Sequence, residues 1–424
     1  MHRLLLTAAG NKLSRLAAED LLWRPHGEVS SVETTLGPRL EGIGDVPPLY
    51  TDFVRLAATV FFVDRTVLRP RMLRRSLDVE VAVHEPVLWE PHSARLGAVL
   101  GLLSGDEWTL SFRRRREPRR GTINALDPAD VSLLFSGGAD SMCGALLARD
   151  EGLAALLVSH FDWRNIGGQQ TDALEAYEQR LGQRPANIRW RFARRGTQVG
   201  SGVAFPNETS RRTRSLLFMA FGGAVGAVTK TDLWIAENGF TSLNPPLSPQ
   251  SLGALSTRTT HPSFIAGLRE TLADVGLDLP VVNRFADMTK GQVFTEATKS
   301  LDKTTASEVL SATHSCGKPQ RLRGHAPDAQ CGVCLGCLVR RGAFIAAGIP
   351  DQTVYLEETL SGSARAHWLS DERLSAYRAL QERLAVGFGD DDVLGLGLAD
   401  DADLDGALQL IREGLLELAA VQVS

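Results

Sequence analysis

Cysteine is scarce in this sequence: five in 424 residues, four of them between Cys316 and Cys337. So few thiols exclude a disulfide scaffold, and clustered ones in a chain without a secretion signal read as a metal site. Long apolar runs are missing too. The longest nearly apolar stretch, residues 216–228, falls short of the roughly 20 residues that a membrane-spanning helix needs. At the start, the apolar patch of MHRLLLTAAGNKL is cut short by Asn11 and Lys12, which predicts no signal peptide. These absences predict a soluble, cytoplasmic protein. No block carries enough positive charge to suggest a dedicated nucleic-acid binder. The net charge is −4, with residues 351–424 holding 15 acidic and 5 basic side chains.

What is present is ordinary globular composition, 43% hydrophobic and 23% charged, at a length that suggests roughly two to three domains. The first block mixes helix and strand. Phe53, Leu56, Ala57, Val60 and Phe61 recur at helical spacing over residues 51–67, and residues 77–84 alternate as a half-buried strand. Trp108, Leu110 and Phe112 alternate likewise, and the arginine-rich run 113–121 then reads as a linker or exposed edge. From residue 131 apolar runs (131–135, 154–158, 188–192, 233–236, 279–282) alternate with helical patterns. Such repeats predict an α/β fold with a parallel sheet whose ligands bind at the strands' carboxyl ends. Beyond Pro350 the patterns are helical, broken by a Gly/Asp-rich stretch at residues 387–406. The predicted division is 1–127, a smaller α+β extension; 128–350, the parallel-sheet domain; and 351–424, an acidic helical region.

The most informative segment follows the strand at 131–135: Ser136-Gly137-Gly138-Ala139-Asp140-Ser141, entering a helix. Two glycines let the backbone turn tightly against an anion, and the first amides of the helix point at it. Ser136 and Ser141 add hydroxyl donors. Asp140 either caps the helix or holds magnesium on a polyphosphate. Neither GxxxxGK[ST] nor GxGxxG is present, so this is not a lysine-gripped phosphate loop or a dinucleotide fingerprint. Near residue 330, Cys331-x2-Cys334-x2-Cys337 joins Cys316. Four thiolates favour a closed, structural zinc site, with an iron–sulfur cluster as the alternative. Cys143 stands alone in an apolar stretch and reads as a buried core residue.

The SGGxDS loop resembles the PP-loop of ATP pyrophosphatases, a Rossmann-like family that cleaves ATP between its α- and β-phosphates. Combined with Ser315-Cys316…Cys331-Gly332-x-Cys334-x2-Cys337 and Arg340-Arg341-Gly342-Ala343-Phe344…Gly348-Ile349-Pro350, the pattern resembles the QueC family of 7-cyano-7-deazaguanine synthases over residues 128–351. That resemblance implies ATP, Mg2+ and a structural Zn2+ as cofactors, and a 7-carboxy-7-deazaguanine-type carboxylate adenylated with release of pyrophosphate. It also implies that Asp162, in Ser159-His160-Phe161-Asp162-Trp163, lies by the nucleotide, and that Arg214 faces phosphate. For Arg214 the plain alternative is a surface helix position.

The chain departs from that family in its front block and in two stretches after the fourth apolar run, 237–246 and 256–262. These fall at a strand's carboxyl end, where substrate should bind. Their hydroxyls, an amide, an arginine and a histidine could read a purine-like edge or a second substrate. The second stretch carries His261, a candidate base for the attacking amine; as a plain loop it would supply only caps, such as Thr260. Long QueC-like chains with such a front block resemble those of bacterial antiphage islands, QatC and the QueC-like member of type IV CBASS. That resemblance implies an ATP-dependent C–N ligase that transfers the deazaguanine to the amino terminus of a partner protein. The alternatives are a housekeeping synthase using ammonia, a tRNA-modifying PP-loop enzyme, and a nucleotide-binding scaffold. Expected site residues are Ser136, Gly137, Gly138, Asp140, Ser141 and Asp162 for the nucleotide. Asp140, Ser141, Arg214 and His261 are expected for catalysis, and Cys316, Cys331, Cys334 and Cys337 for the metal.

Overall fold

A computed structural model describes residues 2–5, 20–24, 29–37, 40, 42–70, 74–115, 126–199, 201–208, 212–247, 258–317, 329–363, 365, 369, 371–399 and 401–423. The front block contains β1 (His2–Leu5), β2 (Asp20–Leu22), β3 (Val32–Thr34), α1 (Pro48–Thr66), β4 (Ser76–Val83), α2 (Pro86–Trp89), α3 (Ser93–Ser104) and β5 (Glu107–Arg114). The alternating series follows: β6 (Val131–Leu134), α4 (Ala139–Asp150), β7 (Ala155–Phe161), α5 (Arg164–Leu181), β8 (Ala186–Arg194), α6 (Arg214–Thr229) and β9 (Asp232–Ile235). It continues through α7 (Gly239–Leu243), α8 (Pro262–Val275), β10 (Val281–Asn283), α9 (Lys290–Ala297), α10 (Lys303–Ser311), α11 (Leu335–Ala347) and α12 (Leu356–Thr359). Helices Asp371–Val386, Asp390–Leu394 and Leu404–Ala419 complete the chain. The last of these packs against α11 and α7.

Two sheets result. The first is four-stranded in the order β2-β1-β4-β5, and every pair is parallel. The second is six-stranded, β10-β9-β6-β7-β8-β3, parallel except for β3, which joins β8 antiparallel at the edge. The molecule is therefore a mixed α/β structure dominated by parallel pairing. From β6 the chain builds outward to β8, returns, and places β9 and β10 on the other side of β6. Such a reversal opens a crevice at the carboxyl ends of the two strands that flank it, here β6 and β9. Gly222 on α6 lets that helix lie close over these strands: a Cβ there would come within 2.6 Å of the Leu134 and Leu233 side chains.

Helix α1 shows how the front block is joined to the rest. Pro48 at its first turn presets the backbone for a helix start. The spacing of its apolar residues predicts one buried face, yet residues 51–66 are buried all round, because β4 lies against one side and α6 against the other. One hydrophobic core accordingly runs from Leu21 and Phe53 through Phe61 to Phe192, Phe221 and Leu279. The start of the arginine-rich run is an edge, since β5 closes its sheet. Arg113 and Arg114 continue β5 and pair with Glu80 and Glu85, while residues 116–121 lie outside the described residues. Among the described residues no helix is long and apolar enough to cross a membrane.

Charges inside this shared core are paired. The Arg75 guanidinium donates to Asp106 at 2.6 Å and to Asp64, and Arg69 donates to Asp106 as well. Asp64 also accepts the Thr213 hydroxyl at 3.0 Å, immediately before α6. Burial pushes the Asp106 carboxyl up, and hydrogen bonds from Arg75 and Arg69 more than reverse this, leaving it below the ordinary carboxylate value. A carboxyl so lowered stabilises the fold above about pH 4 and loses that contribution as pH falls through its folded-state pKa. Arg75→Met is expected to cost about 3–5 kcal/mol in urea unfolding at neutral pH, since buried Asp64 loses the Arg75 ion pair and Asp106 keeps only Arg69. A loss below about 1 kcal/mol, the scale of an exposed pair, would show that the network is not closed to water.

Candidate functional site

The crevice between β6 and β9 is lined by the loop that β6 feeds into α4. Gly137 turns it with φ +82°, and a Cβ there would meet the Gln170 backbone and side chain at 3.1–3.2 Å, so glycine fits where other residues strain. Gly138 N–H donates to the Ser136 hydroxyl at 3.2 Å, and the Ser141 hydroxyl donates to the Gly138 carbonyl at 2.9 Å. The two hydroxyls lie 3.2 Å apart. No side chain caps α4, so its first amides are left to an outside acceptor, and the helix dipole favours an anionic one.

Asp140 neither caps the helix nor stands bare for a cation. One carboxylate oxygen accepts from Lys290 Nζ at 2.9 Å and the other from Asn238 Nδ2 at 3.0 Å. All three residues are buried. Asn238 follows β9 and its own carboxamide oxygen caps α7; Lys290 opens α9, whose capping box is made by Thr289 and Gln292. Between them sits Glu237. Burial first, then the Asp140 carboxylate, push its carboxyl up to about 8, with Lys290 opposing. Its backbone is held from both sides by the Asn283 side chain, which donates to the Glu237 carbonyl at 2.9 Å and accepts its N–H at 3.3 Å.

Ser136, Ser141, Arg214, Ser215, Glu237 and Thr260 line one cavity of about 210 Å³. Arg214, the first residue of α6, donates to the His160 carbonyl at 3.0 Å and turns toward this cavity rather than to bulk solvent. Sequence reasoning had brought Ser136, Ser141 and Arg214 into one site, and here they share a wall. Asp162 is buried just beyond β7 and does not line the cavity. Nor does His261: it is the cap of α8 itself, Nδ1 accepting the Ser263 amide at 3.3 Å. Burial and Arg258 hold it down at about 4, so it is neutral at physiological pH. Thr260, expected as that cap, instead meets the Ser242 hydroxyl at 3.0 Å. Of the 256–262 stretch, Ser256 and Thr257 lie outside the described residues. A second cavity of about 690 Å³ shares Ile235 and Thr260 with the first, and Asp287, Asp403 and Glu413 stand on its wall.

The four cysteines converge. Sγ pairs are 3.6 Å (Cys334–Cys337), 3.7 Å (Cys331–Cys337) and 4.0 Å (Cys334–Cys316) apart, and all four sulfurs lie within 4.8 Å of one another. A tetrahedron of sulfurs about 2.3 Å from one ion has edges of about 3.8 Å, so the cluster could hold a single metal ion. This cluster is tied to the loop. His314 N–H, two residues before Cys316, donates to the Gly137 carbonyl at 3.1 Å. Arg340, three residues after Cys337, buries its guanidinium among Thr313, Leu310 and Thr353. Cys143 is buried apart from it, and burial pushes its thiol far above the usual range, as befits a core residue.

Sequence reasoning missed Lys290 as a site residue, and marked Glu237 and Asn238 only as part of the 237–246 stretch at a strand's carboxyl end. One signal was available for Lys290. A lysine in the first turn of a helix opposes the dipole, and it becomes favourable only if a carboxylate meets it.

Three curated proteins, each called 7-cyano-7-deazaguanine synthase, are similar to this chain. The one from Syntrophobacter fumaroxidans is 28% identical over 242 residues, 53% of this chain and 96% of that protein. The one from Desulfatibacillum aliphaticivorans is 26% identical over 256 residues, 55% and 100% of the two chains. The third, from Novosphingobium aromaticivorans, is 27% identical over 244 residues, 53% and 93%. No family model matches, and no solved structure matches.

Lys290→Met leaves Asp140 and Glu237 without their shared cation. It is expected to destabilise the protein by about 3–5 kcal/mol in urea unfolding, and Asp140→Asn added to it should recover part of that loss. Purely additive effects would show that the two side chains do not act as a pair.

Proposed function

We propose that this chain is a QueC-like PP-loop enzyme: an ATP-dependent C–N ligase that adenylates a 7-carboxy-7-deazaguanine-type carboxylate and passes it to an amine. The observation that carries this reading is the shared wall of Ser136, Ser141 and Arg214 around one cavity at the β6–β9 crevice. Similarity to three 7-cyano-7-deazaguanine synthases over nearly their whole lengths supports the substrate class. The strand order with its reversal beside β6 supports a Rossmann-like PP-loop fold for residues 128–350, with 1–127 and 351–424 as additions to it.

In this reading the ATP phosphates lie against the amides that open α4, within reach of the Ser136 and Ser141 hydroxyls. The substrate carboxylate attacks the α-phosphate and pyrophosphate leaves; Arg214 offsets charge that develops on the phosphate oxygens. Magnesium bound to the polyphosphate would screen its charge. Asp140, occupied by Lys290 and Asn238, serves to fix the loop. Zinc suits the cysteine cluster, because a [4Fe–4S] cluster binds each thiolate to a different iron and spreads the sulfurs wider than this tetrahedron. With four thiolates bound, zinc keeps no open position, and its role would be to hold residues 313–316 against Gly137.

The second cavity favours an acceptor larger than ammonia. It adjoins the first, and its wall, with Asp287, Asp403 and Glu413 against Arg269, carries an excess of carboxylates that suits a cationic amine such as a protein amino terminus. This agrees with the resemblance to long antiphage-defence chains, and antiphage defence is the role we propose, with a partner protein as acceptor. The near-complete coverage of the curated relatives keeps one second reading in view, nitrile synthesis from ammonia. A tRNA-thiolating enzyme needs a redox-active cysteine, and Cys143 is too buried to serve.

The test is incubation with ATP, magnesium and 7-carboxy-7-deazaguanine, with ammonia or with proteins encoded beside this one, followed by mass spectrometry. AMP and a mass gain on a neighbouring protein are expected, both lost in Arg214→Ala. Free nitrile from ammonia alone would favour the second reading. No AMP under any condition would overturn both.

A further inference from the structure

An amine that attacks an acyl-adenylate must lose a proton, and the groups on the cavity wall other than Glu237 supply no acceptor for it. Ser136 and Ser141 bond to their own loop, and the Arg214 guanidinium stays protonated in proteins. His261 is committed to the Ser263 amide outside the cavity. Among the described residues that line the cavity, Glu237 is the one carboxyl. It stands just past the end of β9, two residues after Ile235, which with Thr260 lines both cavities. The Asn283 side chain holds its backbone on both sides, which limits where the carboxyl can go.

The charged groups that face it are Asp140 from α4 and Lys290 from α9, and Arg214 from α6 shares the cavity wall. Asp140 already takes the Lys290 ammonium at 2.9 Å and the Asn238 amide at 3.0 Å. Two carboxyls therefore compete for one lysine, and the less compensated one holds its proton more tightly. Burial first, and then the Asp140 carboxylate, raise Glu237 to about 8, so it exchanges a proton near neutral pH. A general base works best when its pKa lies near the working pH.

We propose that Glu237 is the general base of amine transfer, acting on ammonia or a primary amine, as the free base, in the cavity it lines. This assignment rests on the acyl-adenylate reading above. The amine nitrogen attacks the acyl carbon and forms the C–N bond, while its N–H proton passes to a Glu237 carboxylate oxygen. The bond from the acyl carbon to the AMP oxygen breaks, and AMP leaves with the electron pair. The proton on Glu237 then passes to water.

The experiment compares ammonia with hydroxylamine as acceptors on the full-length protein, with ATP, magnesium and 7-carboxy-7-deazaguanine. Hydroxylamine is already a free base at neutral pH and intercepts acyl-adenylates without help. In Glu237→Gln the rate with ammonia, relative to the same variant's hydroxylamine rate, is expected to fall about 10²- to 10⁴-fold. Glu237→Asp, which keeps a carboxylate, should recover part of that ratio. An unchanged ratio in Glu237→Gln overturns the assignment, whether both rates persist or both are lost together. Should the wild-type protein form neither hydroxamate nor AMP, the adenylation reading fails, and the assignment with it. The wild-type control separates that result from failure of the assignment alone.

Discussion

A buried ion pair, Asp140 with Lys290, organises the crevice between β6 and β9. It joins segments 150 residues apart in sequence, and Asn238 adds the end of a third. An ion pair removed from water gains little net stability, because desolvation cancels much of the attraction, but losing one partner strands a charge. Its effect is thus on specificity of arrangement: α4, α7 and α9 can close on this crevice in one way. The loop at Ser136–Ser141 inherits that order, since Asp140 lies within it. So does Glu237, whose proton affinity is raised by burial first and then by the Asp140 carboxylate.

Two further constraints reach the same loop from outside. The cysteine cluster holds the segment whose His314 amide bonds the Gly137 carbonyl. From the other side, Asp64 in the front block bonds Thr213, the residue before Arg214, while α1 packs along α6. The front block thus buttresses the helix that brings Arg214 to the cavity, besides giving β3 to the edge of the sheet. A substrate that changes charge on reaction needs donors already in place, and rigid supports around them supply that preorganisation.

The elements legible in the sequence are those whose periodicity is long. Strands β6 to β10 stood out as apolar runs between helical stretches, and β4 and β5 as alternation. Strands β1, β2 and β3 have three or four residues each, too few to show a period, so the parallel first sheet and the antiparallel edge were hidden. Helix α1 announced its apolar face but not the second cover that α6 supplies. At the site, glycines and serines in a strand–loop–helix context marked the loop, and cysteine spacing marked the metal cluster. Glu237 was marked only by its place at a strand's carboxyl end: its carboxyl is ordinary until Asp140 and Lys290 are known to face it. His261 drew attention by residue type, whereas its position is that of a helix cap.

The most direct test of carboxylate activation uses 7-carboxy-7-deazaguanine labelled with 18O in its carboxyl group, turned over with ATP and an amine acceptor. If the carboxylate attacks the α-phosphate, one labelled oxygen leaves with the phosphate and appears in AMP. Label found in inorganic phosphate, or AMP formed without label, would contradict adenylation at this site.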